Sequence, residues 1–71
     1  MTDERLMRLV GQRIKILRQR AELTQEQMQD FGFNYRYFQE IESGTANLTI
    51  KTLNRLAKAF RVAPIEFFRF D

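Results

Sequence analysis

Residues 23–44 read LTQEQMQDFGFNYRYFQEIESG, and the fold turns on how this stretch divides. Thr24 is followed three residues on by Gln27. That spacing is a capping box: the hydroxyl takes one free backbone N–H and the amide reaches back to another. Leu23 before the cap and Met28 inside the helix can close as a hydrophobic staple. Gly32 has no Cβ to clash at positive φ, so it stops this helix after about Phe31. Asn34 is a good N-cap for a second helix, and Phe33 with Phe38 repeats the staple. Phe38 and Ile41 lie three apart and share an inner face. Ser43-Gly44 supplies a second glycine stop. Two short helices so tightly linked fit a helix-turn-helix unit over about residues 24–43, a unit whose second helix enters the major groove of DNA.

Tyr35, Arg36, Gln39 and Glu40 are left on the outer face of that second helix. Arg can bond guanine bidentately, Gln can do the same to adenine, and Glu can accept from cytosine. Tyr can bond phosphate or pack on a thymine methyl. The plainer reading is an ordinary solvated helix face, and the four residues alone do not displace it.

Taken together, the motifs do. The chain resembles the lambda-repressor-like, or Cro/C1-type, helix-turn-helix family. Its pattern is roughly Leu-Ser/Thr-Gln-Glu-x-Leu, a Gly turn, then a helix closing in Ile-Glu-x-Gly. The corresponding residues are Leu23-Thr24-Gln25-Glu26-Gln27-Met28, Gly32, and Ile41-Glu42-Ser43-Gly44. The pattern continues through Asn47-Leu48-Thr49, Thr52-Leu53, Leu56-Ala57 and Phe67-Phe68, covering about residues 9–68. The resemblance implies an all-α, five-helix DNA-binding domain. One departure stands out: from Gln25 to Gly44 the chain is one residue shorter than the usual spacing, with the gap between Met28 and Gly32. Losing one helical residue turns the next helix by about 100° unless the turn compensates.

Seventy-one residues allow a single domain, 1–71, with no room for an effector-binding domain. A chain this short buries only about 60% of its unfolded surface, so association would help it. There is no Cys and no His, which excludes disulfides, zinc fingers and His-based catalysis. No metal-ligand cluster or glycine-rich phosphate loop offers an alternative, so neither an enzyme nor a cofactor is expected. No apolar run approaches the roughly 20 residues that span a bilayer. The charged start Met-Thr-Asp-Glu-Arg does not read as a signal peptide. A cytoplasmic, nucleoid-associated protein is the expectation.

The net charge is +3. Residues 1–20 carry six basic groups against two acidic, residues 21–44 one against five, and residues 45–71 five against two. The reading unit is itself acidic, so attraction to phosphate must come from its flanks.

Residues 3–21 read as an amphipathic helix: Met7, Val10, Ile14, Leu17 and Ala21 are spaced 3, 4, 3, 4 apart, widened by Leu6 and Leu9. Gly11 within it should cost about 1 kcal/mol relative to Ala, and close approach of another helix is a reason to keep it. The resemblance implies that Arg18 pairs with Glu42, pinning the first helix to the end of the third, and that it can also touch a phosphate. Thr49 caps a fourth helix with Leu48 and Leu53 as staple and Ile50, Leu53, Leu56, Ala57 and Phe60 on the inner face. Lys51, Arg55 and Lys58 point outward. Together with Gln25, the resemblance makes Thr45, Asn47 and Lys51 candidates for backbone contacts, which position a protein without reading sequence. Pro64 suits the first position of a short fifth helix. Phe67, Phe68 and Phe70 cannot all turn into one small core, and leftover apolar surface marks an interface. They are the candidate seam of a C2 homodimer, whose two reading helices would sit about 34 Å apart on a palindromic duplex.

The function this implies is a sequence-specific regulator of transcription on double-stranded DNA, akin to restriction–modification controllers or compact phage repressors, with RNA polymerase as a further partner. The alternative is a protein-interaction module, an antitoxin or adaptor that kept the fold.

Overall fold

Three α-helices and two 3₁₀ segments succeed one another in the computed structural model, which describes residues 1–70. They are α1 (Asp3–Arg20), a first 3₁₀ segment (Glu26–Phe31), α2 (Tyr35–Ser43), α3 (Ile50–Phe60) and a second 3₁₀ segment (Pro64–Phe68). No strand occurs among the described residues. The all-helical class matches the sequence reading, but the count of five α-helices is corrected to three.

Capping side chains set most of the starts. Thr2 caps α1 by accepting from the Arg5 N–H, Asn34 caps α2 by accepting from Tyr37, and Thr49 caps α3 by accepting from Thr52. The box at Thr24 is formed in both directions: the Gln27 N–H reaches the Thr24 hydroxyl at 3.1 Å, and the Thr24 N–H reaches the Gln27 side-chain oxygen at 2.8 Å. Gly32 and Gly44 stop their segments in the left-handed region, at φ of 86° and 81°. A side chain there would be strained as well as crowded.

The core is built from Val10, Ile14 and Leu17 of α1, Met28, Phe33, Phe38 and Ile41 of the helix-turn-helix, and Leu56, Ala57, Phe60 and Phe67 beyond it. Phe33 meets Phe38 edge to face at 5.9 Å, and Phe60 meets Phe67 at 6.3 Å, the arrangement aromatic pairs prefer. Two apolar assignments change. Ile50, expected inside, is 85% exposed, because as the first residue of α3 it projects past the end of the core. Phe67, expected at a dimer seam, is fully buried. The second 3₁₀ segment accounts for this. Residues three apart eclipse in such a helix, so Ile65 and Phe68 line one outward edge while Phe67 turns in against Phe60.

Polar ties hold the ends of the chain to α1. Arg13, outside the apolar stripe of α1, donates from Nε to the Glu66 carbonyl at 2.8 Å and pairs with its carboxylate at 3.1 Å. Arg69 pairs with the same carboxylate at 3.0 Å. On the other side, Arg18 and Glu42 are buried together: Arg18 Nε to Glu42 Oε2 spans 2.6 Å and the second limb of the fork 3.3 Å. The remaining Arg18 nitrogen donates to the Leu23 carbonyl at 2.7 Å. With each nitrogen engaged once and the residue 7% exposed, three of the five Arg18 N–H donors are spent inside the protein.

Gly11 explains how α1 comes so close to α2. A Cβ at this position would lie 2.6 Å from the Ile41 carbonyl oxygen and 2.7 Å from that of Glu42. Helix propensity alone favours Ala over Gly by about 1 kcal/mol. Main-chain carbonyls cannot swing aside, so we expect Gly11→Ala to lose about 1–3 kcal/mol instead, read from the urea midpoint. A more stable variant would contradict this packing. Removing one member of a buried pair strands the other charge, so Glu42→Ala should cost about 3–5 kcal/mol in the same assay. A loss below about 1 kcal/mol would mean that the pair behaves as an exposed one.

Candidate nucleic-acid interface

The direction in which α2 points depends on the segment before it. That segment holds six residues wound as a 3₁₀ helix, not the α-helix expected from the capping box. An α-helical segment one residue longer would rotate about 700° and rise about 10.5 Å, whereas this one rotates about 720° and rises about 12 Å. Tighter winding therefore restores the rotation and rise that the shorter spacing removes. The exit turn closes with the Phe33 N–H on the Met28 carbonyl at 3.2 Å and the Gly32 N–H on the Gln29 carbonyl at 3.0 Å.

Arg55 of α3 secures this turn. One terminal nitrogen donates to the carbonyls of Phe31 and Gly32, at 3.1 and 3.2 Å. Its guanidinium carbon lies 4.4 Å from the centre of the Phe33 ring, within cation–π range. Sequence reasoning placed Arg55 outward and missed this role. Its acceptors lie more than 20 residues upstream, and no local pattern signals such a contact.

On α2, Arg36, Gln39 and Glu40 are exposed and Tyr35 is half-buried. The side chain of Arg36 makes no hydrogen bond or ion pair among the described residues, so its planar fork is free. Gln39 is held at both sides: its Nε2 donates to the Tyr35 hydroxyl at 3.0 Å and to Gln25 Oε1 at 3.4 Å. Gln25 in turn donates from Nε2 to Glu42 Oε1 at 2.8 Å. A chain of contacts thus runs from Tyr35 on the surface through Gln39, Gln25 and Glu42 to Arg18 in the interior.

The candidates for backbone contact divide. Asn47 and Lys51 are exposed, and Lys51 sits in the first turn of α3, where unpaired N–H groups favour anions. Thr45 is exposed, but its hydroxyl bonds the Glu40 carbonyl at 3.3 Å and lies 3.0 Å from that of Ser43. It tightens the end of α2. Gln25 is half-buried and already committed to Glu42.

The aromatic tail also splits. Phe68 is 46% exposed and, with Ile50, Leu53, Pro64 and Ile65, walls an apolar hollow edged by Lys51 and Asn54. Phe70 packs edge to face on Phe68, with ring centres 6.2 Å apart, and also borders a groove with Leu9 and Ile16 of α1 that Arg5 and Arg20 edge. The described residues contain no cluster able to hold a metal ion, and none of their helices is long and apolar enough to cross a membrane.

Comparison with known proteins agrees with this geometry. A helix-turn-helix family model matches residues 14–67. An uncharacterized HTH-type transcriptional regulator, y4dJ, of Sinorhizobium fredii is 37% identical over 62 residues, which is 86% of this chain and 80% of the relative. The crystal structure of the restriction-modification controller protein C.AhdI from Aeromonas hydrophila superposes with a TM-score of 0.82 at 30% identity, covering 87% of this chain and 96% of that one. With its capped turn, glycine stops and buried Arg18–Glu42 pair in place, the chain belongs to the Cro/C1-type helix-turn-helix family of DNA-binding regulators.

Proposed function

We propose that the protein is a sequence-specific transcription regulator that binds a palindromic operator as a homodimer, with α2 in the major groove. The observation that carries this reading is the presentation of α2. Arg36, Gln39 and Glu40 are exposed on a helix whose entry is anchored by the Thr24 box, the Arg55 clamp and the Glu42 carboxylate. Direct readout needs side chains of this chemistry on a rigid element. Arg36 suits guanine, Glu40 suits the cytosine amino group, and Tyr35 and Gln39 lie beside them. Asn47 and Lys51 hold phosphates on the flank. Similarity to a restriction-modification controller supports a controller of the same kind. The exposed carboxylates of Glu26 and Asp30 are the groups through which RNA polymerase would be engaged.

The dimer seam in this reading is the hollow of Ile50, Leu53, Pro64, Ile65 and Phe68, of which the sequence marks only Phe68 as interfacial. Ile50 and Ile65 are 85% and 64% exposed, an unusual amount of open apolar area for so small a chain. The molecule measures 33 × 23 × 20 Å, so two copies side by side can set their α2 helices about 34 Å apart, one turn of B-DNA.

The exposed apolar hollow also favours a second reading, a protein-interaction module. Salt separates the two, because phosphate binding weakens steeply as salt rises and apolar association does not.

Arg36→Ala should cost about 1–3 kcal/mol on the selected site and relax preference at one base position, whereas Lys51→Ala should weaken binding to all sequences alike. Titrations on selected and random duplexes check this, and equal losses for both variants on both duplexes would refute the assignment. Ile65→Glu should give a folded monomer by sedimentation with much weakened operator binding. An unchanged dimer would place the seam elsewhere.

A further inference from the structure

We propose that the buried Glu42 carboxylate sets the hydrogen-bonding polarity of Gln39, so that this side chain offers DNA an acceptor but no donor and reads an exocyclic amino group. The inference rests on the reading that α2 enters the major groove.

A carboxylate can only accept hydrogen bonds. The Gln25 atom 2.8 Å from Glu42 Oε1 must therefore be its nitrogen. That turns Gln25 Oε1 toward Gln39, and the Gln39 atom facing it at 3.4 Å must in turn be nitrogen. Gln39 Nε2 has two hydrogens, and its second partner is the Tyr35 hydroxyl at 3.0 Å. Both donors are occupied inside the protein, and only Oε1 is left for a ligand. Amide orientation is fixed by its network, and here the network ends on a fixed anion. Reversing Gln25 would set an amide oxygen against the carboxylate. Reversing Gln39 would set two amide oxygens together. Because the Tyr35 hydroxyl accepts from Gln39, its own hydrogen is free to donate outward.

The consequence is a base preference. The bidentate pairing of Gln with adenine needs a donor to N7 and an acceptor from the 6-amino group. Only the second half is available here. Guanine presents N7 and O6 and thymine presents O4, all acceptors on the major-groove edge, so both meet Gln39 Oε1 with like polarity. Adenine and cytosine each present an amino group and are accepted.

The test selects sites from random duplexes with the full-length protein, Gln39→Ala and Gln25→Leu. The position at which Gln39→Ala loses preference is the one Gln39 reads, and the wild type should hold adenine or cytosine there. Removing that amino group, with purine for adenine or 2-pyrimidinone for cytosine, should weaken wild-type binding about tenfold. Replacing adenine by 7-deazaadenine should leave it within about twofold, since N7 is not used. Gln25→Leu frees the Gln39 amide to turn, so the variant should shift toward adenine and become sensitive to 7-deazaadenine. The base-analogue measurements need only the wild-type chain, so a poorly folded variant does not decide the outcome. Guanine or thymine at the position, equal losses on removing N7 and the amino group, or an unchanged preference in Gln39→Ala would overturn the polarity while leaving DNA reading intact. Failure of the wild type to select any sequence would remove DNA reading, and the polarity with it.

Discussion

The pairing of Arg18 with Glu42 is the constraint on which the rest of the molecule depends. Side chains at 8% and 4% exposure carry a large desolvation penalty, which close approach and further hydrogen bonds must offset. Both are present. The guanidinium meets the carboxylate with two nitrogens and gives the third to the Leu23 carbonyl, while Gln25 takes up the carboxylate from the other side. No buried side-chain polar atom among the described residues is left without a partner. The pair therefore joins α1, the entry to the helix-turn-helix and the end of α2 at one point. Gly11 permits the approach by leaving the Ile41 and Glu42 carbonyls room against α1.

A second constraint acts on chain length between fixed points. Between the cap at Thr24 and the turn at Gly32 lie seven residues, the last six of them wound as the 3₁₀ segment that delivers α2 from its cap at Asn34. Winding those residues more tightly keeps both rotation and rise, with poorer hydrogen-bond geometry as the consequence. Arg55 adds support from α3 where the segment ends, so the weaker internal bonding is compensated by a contact from outside.

Internal pairing also changes the meaning of the charge. Of the twelve basic residues, Arg13, Arg18, Arg55 and Arg69 are engaged with the protein's own oxygens. Fewer cations are left unpaired than composition suggests, and residues 21–44 carry a net negative charge.

Local chemistry was legible in the sequence: the Thr24–Gln27 box, the Asn34 and Thr49 caps, the glycine stops and the periodic inner face of α1 each involve residues within about four positions, where backbone geometry alone dictates what can meet. The family resemblance added the partnership of Arg18 with Glu42, which lie 24 residues apart. Only the tertiary structure decided the 3₁₀ winding, the burial of Phe67 with the exposure of Ile50, the engagement of Arg13 and Arg55 with distant oxygens, and the relay from Glu42 to Gln39. Each depends on which element lies opposite once the chain has closed on itself. A hydrogen bond takes its direction from its partner, and where that partner is distant in sequence no periodicity encodes it.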